Sequence, residues 1–339
     1  MRYIADLHVH SRYAGACSPE LTLENINRVA GEKGINIIGT GDFTHPDWFS
    51  EIKSKLVYEN GVYKLKGAES VNFILSSEVC TIFDSGKGFK KIHNCILAPD
   101  IGAVEGINDA IGKFGSLKSD GRPLLTVRPS EFVEILHGID KDIMVFPAHA
   151  WTPWYGVFGS YGFGSLKEAY EDQAIHIKAI ETGLSSDPLM NWRVSVLDKV
   201  ALVSGSDAHS LPKLGREAVV FSSEKAPSYE SLIRNLAGKK LDMTVEFYPE
   251  EGKYHFDGHR KCGVSFSPEE AKKYNGICPV CRRRLTMGVL HRVEQLADRE
   301  EGFKPKDAVP YVSMVPLQEI IAYVSRKAPA SEYVKKVYS

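Results

Sequence analysis

The residues best suited to chemistry are imidazoles and carboxylates spaced two apart beside apolar runs. Asp6-Leu7-His8-Val9-His10-Ser11 sets two histidines at i and i+2, and on a strand such side chains leave the same face. Ser204-Gly205-Ser206-Asp207-Ala208-His209 repeats the spacing with a carboxylate and an imidazole, directly after the apolar run 200–203. Between these ends Glu78 follows Phe73-Ile74-Leu75, His93 sits in Lys91-Ile92-His93-Asn94, and His149 follows Ile143-Met144-Val145-Phe146. A lone His-x-His is weak evidence, and its plain reading is two histidines on a half-buried strand. Several separate apolar runs that all end on ligand types form a far more specific pattern. Mixed imidazole and carboxylate donors suit a catalytic divalent cation such as zinc, manganese, magnesium or iron. His8, His10, Glu78, His93, His149, Asp207 and His209 are therefore expected to converge on bound metal. Asp42, in Ile37-Ile38-Gly39-Thr40-Gly41-Asp42-Phe43-Thr44-His45, is expected as a further ligand. A helix N-cap is the alternative for Asp42, and His45 is a weaker candidate for the same metal.

A second constellation stands alone. Cys278-Pro279-Val280-Cys281 has the form of a zinc knuckle, and His259-Arg260-Lys261-Cys262 lies upstream. His259, Cys262, Cys278 and Cys281 make a Cys₃His set, the closed donor set of a structural zinc. A redox Cys-x-x-Cys would leave His259 and Cys262 without a role, and His255 is the substitute fourth ligand. With little other core material in the segment, the zinc is expected to fold it.

The elements needed to position the first set can be read from apolar periodicity. Candidate strands cover 2–9, 35–41, 72–79, 91–97, 143–148, 178–182, 200–205 and 217–222. Helical spacing follows Thr22 (Leu23, Ile26, Val29), Ser130 (Phe132, Val133, Leu136) and Ser228 (Leu232, Leu236). Strands alternating with helices predict a parallel α/β sheet, closed or nearly closed into a barrel, with ligands at the C-terminal strand ends. Near residue 250 the alternation stops. Residues 1–250 are read as the barrel, 251–302 as the zinc module, and 303–339 as a helical tail broken by Pro305, Pro310, Pro316 and Pro329.

Composition excludes several classes. No run of about 18 apolar residues appears, so a membrane-spanning helix is not expected. The N-terminus reaches Asp6 without an apolar signal core, which with six scattered cysteines points to the cytoplasm rather than a disulfide framework. The net charge of −1 gives no global case for nucleic acid. From Lys253 to Arg292, however, nine Lys or Arg face three acids. A basic module on an acidic body suits a partner bearing phosphates, although a solvated face on a small module accounts for charge alone. Arg282, Arg283 and Arg284 are the densest part of it. The loop 151–164 interleaves aromatics with glycine, and Trp151, Trp154, Tyr155 and Phe158 could stack a base or wedge a duplex. A loop tucked onto the barrel rim is the equal alternative. Arg12 and the stretch Lys87-Gly88-Phe89-Lys90-Lys91 are further candidates to meet a phosphate.

The segments DLHVHS, SEV, IHN, AHA and SDAH resemble the PHP (polymerase and histidinol phosphatase) family over residues 1 to about 250. The resemblance implies a distorted seven-stranded α/β barrel with two to three divalent metals. It makes Glu78 a carboxylate bridging two of them, with Asp207 and Glu78 as catalytic groups. Two departures stand out: the family's usual Thr-Asp-His is Thr40-Gly41-Asp42, and after the first motif Cys17 is the strong ligand type. The barrel followed by Cys262…Cys278-Pro-Val-Cys281, then Leu290–Arg299, with GTGDFTHPDW near residue 42, resembles the endonuclease Q family of DNA-repair enzymes over essentially the whole chain. That implies hydrolysis of the phosphodiester 5′ of a deoxyuridine, deoxyinosine, xanthosine or abasic site by a metal-activated hydroxide, leaving 3′-hydroxyl and 5′-phosphate. Damaged duplex or single-stranded DNA would be the partner. A sliding clamp is a partner of some members through a C-terminal motif not found in this sequence. The competing class is a small-molecule phosphatase of the histidinol-phosphate kind, which would not need the second module.

Overall fold

The computed structural model of the protein describes residues 1–339 apart from Ser70, Lys87 and Ser339. Lys87, one of the candidate phosphate contacts, therefore lies outside the described residues. The central strands are β1 (Arg2–Asp6), β2 (Ile37–Gly39), β3 (Asn72–Asp84), β4 (Phe89–Ala98), β5 (Met144–Pro147), β6 (Ala179–Glu181), β7 (Ala201–Val203), β8 (Ala218–Ser222), β9 (Met243–Glu246) and β10 (Tyr311–Ser313). β1, β2 and β3 pair in parallel, with Ala5 opposite Ile37 and Ile38 opposite Phe73. β4 and β5 then pair antiparallel, β4 on β3 and β5 on β4. β5 lies beside β6, and β6 and β7 pair in parallel. A bridge between Val9 and Ala208 returns the circuit to β1. The expected distorted seven-stranded α/β barrel is the observed architecture, but it is not parallel throughout. The reason is the short link from Asp84 to Phe89: a parallel return needs a crossover of a dozen or more residues, so a short link forces a hairpin.

Helices cover this circuit where the apolar spacing calls for them. α1 (Leu23–Glu32) is capped by Thr22, whose hydroxyl accepts from Asn25 N. α2 (Pro129–Ile139) starts on a proline, which fits the first helical turn. α3 (Tyr229–Ala237) carries a capping box between Ser228 and Ser231. Leu23, Ile26, Phe132, Val133, Leu136, Leu232 and Leu236 are all buried, each contributing roughly 1.5–3 kcal/mol by leaving water. The tail is not purely helical. β8 pairs antiparallel with β1, β9 with β8, and β10 adds a parallel strand, with Val245 opposite Val312. Two short helices follow, Leu317–Ser325 and Glu332–Tyr338. The three-residue strand β10 lies between Pro310 and Pro316, too short for its periodicity to show. Among the described residues no helix is long and apolar enough to cross a membrane.

The basic module is a hairpin, Asp257–His259 with Val264–Phe266, followed by the cysteine turn and α4 (Val289–Leu296). Ligand atoms of His259, Cys262, Cys278 and Cys281 all lie within 4.8 Å of one another. His259 Nδ1 is 3.1 Å from Cys262 Sγ and 3.3 Å from Cys281 Sγ. Four soft donors at these separations fit a tetrahedral zinc. His255, the substitute ligand, is buried outside this group with Nδ1 unpartnered. The module also has apolar anchorage that its sequence did not advertise: Val289 and Val293 are buried in the barrel's own core cluster. Replacing Cys281 with Ser should therefore lower bound zinc by one equivalent and open 257–285 to protease, while barrel peptides stay protected. Mass spectrometry of the digest and elemental analysis check this, and an unchanged zinc content would contradict it.

Candidate metal centre

Five strands deliver the site. His8 and His10 follow β1, Glu78 lies within β3 and His93 within β4, and His149 and Asp207 follow β5 and β7. Their atoms meet around one carboxylate. Glu78 Oε2 is 3.3 Å from His10 Nε2 and 3.6 Å from His8 Nε2. Its other oxygen, Oε1, is 2.6 Å from His93 Nδ1 and 3.0 Å from His149 Nε2. Asp207 Oδ1 completes the first group, 3.0 Å from His10 Nε2 and 3.6 Å from His8 Nε2. The donor atoms thus form two clusters, His8/His10/Glu78/Asp207 and Glu78/His93/His149, that share Glu78.

Two buried carboxylates behind the imidazoles set their orientation. Glu181, at the end of β6, lies 3.0 and 2.9 Å from His8 Nδ1 through its two oxygens, and accepts the backbone N–H of His149 at 2.7 Å. Asp42 lies 2.9 Å from His10 Nδ1 and accepts from the backbone and hydroxyl of Ser11 at 2.6 and 2.7 Å. Carboxylates on the far nitrogen fix tautomer and ring angle so that Nε2 faces inward. Asp42, expected as a further ligand, belongs to neither donor cluster. Both its oxygens are engaged by His10 and Ser11. Space for these contacts depends on glycine. A Cβ on Gly205 would come within 2.5 Å of Glu181 Oε1 and 2.7 Å of the His8 Cβ. Asp42, His149 and Asp207 themselves hold φ of +45°, +29° and +46°, a region that costs non-glycine residues energy and is typical of sites held by their surroundings.

The donors fit divalent cations better than protons. His8 Nε2 is buried with no hydrogen-bond partner, an orphan aimed between Glu78 and Asp207. Burial opposes charging His8, yet Cys95 and Glu181 outweigh it and hold the imidazolium well above its usual range. Burial is likewise overcome at His10 by Asp42, Asp207 and Glu78. At Glu78 and Asp207 desolvation is outweighed by the surrounding imidazoles, so both stay ionised well below the usual carboxylate range. His93 differs: burial pulls it down to about 4, leaving a neutral lone pair. Protons on His8 and His10 occupy the place that a cation would take, and neutral imidazole is the ligating form.

The remaining predicted residues divide. His209 reaches the rim, its ring 4.7 Å from that of His10 and its side chain 32% exposed. His45 lies away from the clusters, stacked at 4.5 Å on Tyr13 with Nε2 3.2 Å from the Lys118 carbonyl. Cys17 is half-buried and belongs to neither cluster. Arg12 pairs with Glu51 at 2.6 Å. Trp151 and Phe158, expected as stacking surfaces, are 1% exposed. Trp151 donates to Asn191 Oδ1 at 2.8 Å and packs on Phe158, so both belong to the core beneath the loop. Trp154 and Tyr155 are about two-fifths exposed and line a cleft of about 760 Å³ above the imidazoles. The Tyr155 ring lies 4.5 Å from that of His93, tilted by 36°, and its carbonyl accepts the His93 backbone N–H at 2.9 Å. Arg282, Arg283 and Arg284 are exposed on the module. Glu181 and Arg122 escaped the sequence reading. Glu181 at least ends a recognisable apolar run, whereas Arg122 lies in an aperiodic loop that carries no signal.

No family model matches the chain. An uncharacterised protein of Methanocaldococcus jannaschii is 32% identical over 196 residues, which is 56% of this chain and 24% of that protein, so this chain spans about a quarter of that relative. The uncharacterised protein YqxK of Bacillus subtilis is 27% identical over 93% of this chain and 81% of its own length. Among solved structures, the lesion-specific endonuclease PfuEndoQ of Pyrococcus furiosus superposes with a TM-score of 0.86 at 32% identity, over 100% of this chain and 82% of that one. Endonuclease Q in complex with a 27-mer duplex substrate, with an abasic lesion at its active site, superposes with a TM-score of 0.88 at 32% identity over the same shares. With that identity over its full length, the chain belongs to the endonuclease Q family of DNA endonucleases.

Proposed function

We propose that the protein is a DNA-repair endonuclease that hydrolyses the phosphodiester 5′ of a deaminated base or abasic site, leaving 3′-hydroxyl and 5′-phosphate. The observation that carries this is the division of Glu78 between two donor clusters at the floor of an open cleft. Divalent cations held by His8, His10, Glu78, His93, His149 and Asp207 would supply an activated water and neutralise phosphoryl charge. The chain's own residues do the rest. Glu181 and Asp42 hold His8 and His10 in their ligating orientation. Lys91, Lys253 and Arg122 line the cleft with positive charge, and Trp154, Tyr155 and Tyr254 offer ring faces there. Aromatic faces can stack an extruded base, and the exposed arginines 282–284 suit the flanking backbone. A small-molecule phosphatase would leave that module and those rings without a role.

The direct test is a labelled duplex carrying one deoxyuridine or abasic site, incubated with Mg²⁺, Mn²⁺ or Zn²⁺. One nick 5′ of the lesion is expected, and an intact strand under all three metals would overturn the reading. Asp207→Asn removes a charged ligand but little surface. Its cleavage rate should fall by about 10²–10³-fold, the scale seen when a group stabilising transition-state charge is lost. Its affinity for the lesion duplex should stay within about 3-fold on that same view, and a variant that cleaves normally would mean the ligand assignment is wrong.

The raised His8 and His10 values set a pH dependence. Their protonated forms stabilise the metal-free fold fully below about pH 6.5, the unfolded value. That contribution is lost as pH rises through the elevated folded values. Metal binding needs those protons removed, so cation affinity climbs in the same direction. Thermal melts with EDTA and with Mn²⁺ should therefore show the metal-conferred increase in Tm growing from pH 6 to pH 9. A gap that shrinks with pH would contradict the assignment.

A further inference from the structure

Among the described residues one cation forms an ion pair with the cluster of site carboxylates and imidazoles: Arg122, whose Nη1 is 3.3 Å from Glu78 Oε2. Its side chain is 24% exposed, and it lines the same cleft as His93, His149, Asp207 and His209. The loop that carries it is pinned at several points. Asp120 Oδ1 accepts the backbone N–H groups of Arg122 (2.9 Å) and Gly15 (3.2 Å). Gly121 donates to the Tyr13 carbonyl at 2.9 Å, and its own carbonyl accepts from Thr44 at 3.2 Å. A Cβ at Gly121 would sit 2.6 Å from Asp42 Oδ2, so this loop packs directly on the carboxylate behind His10. Glu78 already faces four imidazoles, and Arg122 reaches its Oε2 from the cleft side. A planar guanidinium with several donors can hold one hydrogen bond to Glu78 and direct others into the cleft, where it matches the paired oxygens of a phosphodiester.

We infer that Arg122 is a further catalytic residue, contacting a non-bridging oxygen of the scissile phosphate. The inference rests on the endonuclease reading for its substrate. In the reaction, water adds its oxygen to phosphorus, the bond to the 3′ oxygen breaks, and that oxygen takes a proton. The phosphate stays on the 5′ carbon. Arg122 remains charged throughout and meets the extra negative charge that gathers on the phosphoryl oxygens.

The test compares wild type with Arg122→Lys, Arg122→Gln and Arg122→Ala in three measurements. Cleavage of the abasic duplex should fall about 10²–10³-fold in the Ala and Gln variants, the cost of losing one such donor, and less in Lys. Methylguanidinium should restore part of the Ala rate. Manganese content should match wild type. Inorganic phosphate should raise the Tm of manganese-loaded wild type, and half of that rise should need about tenfold more phosphate in Arg122→Ala, an order-of-magnitude expectation for one charge-assisted contact. Equal phosphate response and equal cleavage would overturn the inference, as would a rate loss that merely tracks lost manganese. If wild type fails to nick the duplex while the phosphate response still depends on Arg122, the endonuclease reading fails and the anion contact stands.

Discussion

The structure turns on one buried carboxylate with too many imidazoles around it. Glu78 is 1% exposed, yet four histidine nitrogens lie within 3.6 Å of its oxygens. A carboxylate and four imidazoles do not gather in a low-dielectric interior unless something positive joins them, since burying unpaired ionic groups is costly. Protons on His8 and His10 meet part of that need in the free chain. Divalent cations meet it better, because each would take several neutral lone pairs at once.

Much of the surrounding architecture serves that arrangement. The short hairpin between β3 and β4 breaks the parallel order and places Cys80 opposite His93, so Glu78 and His93 come from neighbouring strands. Glu181 couples His8 to the backbone of His149, tying the two donor clusters to a single buried acid. The left-handed backbones at Asp42, His149 and Asp207 are sustained because neighbouring strands fix the residues on either side. The Cys/His module joins in through Arg292, which donates to the carbonyls of Phe158 and Phe163 at 3.0 Å each. It thereby holds the loop whose Tyr155 covers His93.

Most of the barrel could be read from sequence because its strands are short apolar runs and its helices keep strict spacing behind Thr22 and Ser228. The residues that gather into the donor clusters were equally legible, being rare residue types on or just after apolar runs. Three kinds of information were not. Strand direction depends on connection length, and the antiparallel return of β4 on β3 carries no mark in the apolar runs themselves. The role of a carboxylate depends on which atoms surround it: Asp42 and Asp207 look alike in sequence, but Ser11 engages one and not the other. The burial of an aromatic depends on its neighbours, so Trp151 and Trp154, three residues apart, ended on opposite sides of the loop. Arg122 shows the limit most clearly, since nothing in its local sequence distinguishes it from any surface arginine.

The claim that Glu78 is shared by two cations is open to direct measurement by anomalous scattering from crystals soaked in Mn²⁺. The account predicts two peaks, one on the Oε1 side toward His93 and His149, the other on the Oε2 side toward His8, His10 and Asp207. Two cations sharing a phosphoryl-transfer site typically lie about 3.5–4 Å apart. A single peak remote from Glu78, or one bound through Asp42 in place of Asp207, would contradict it.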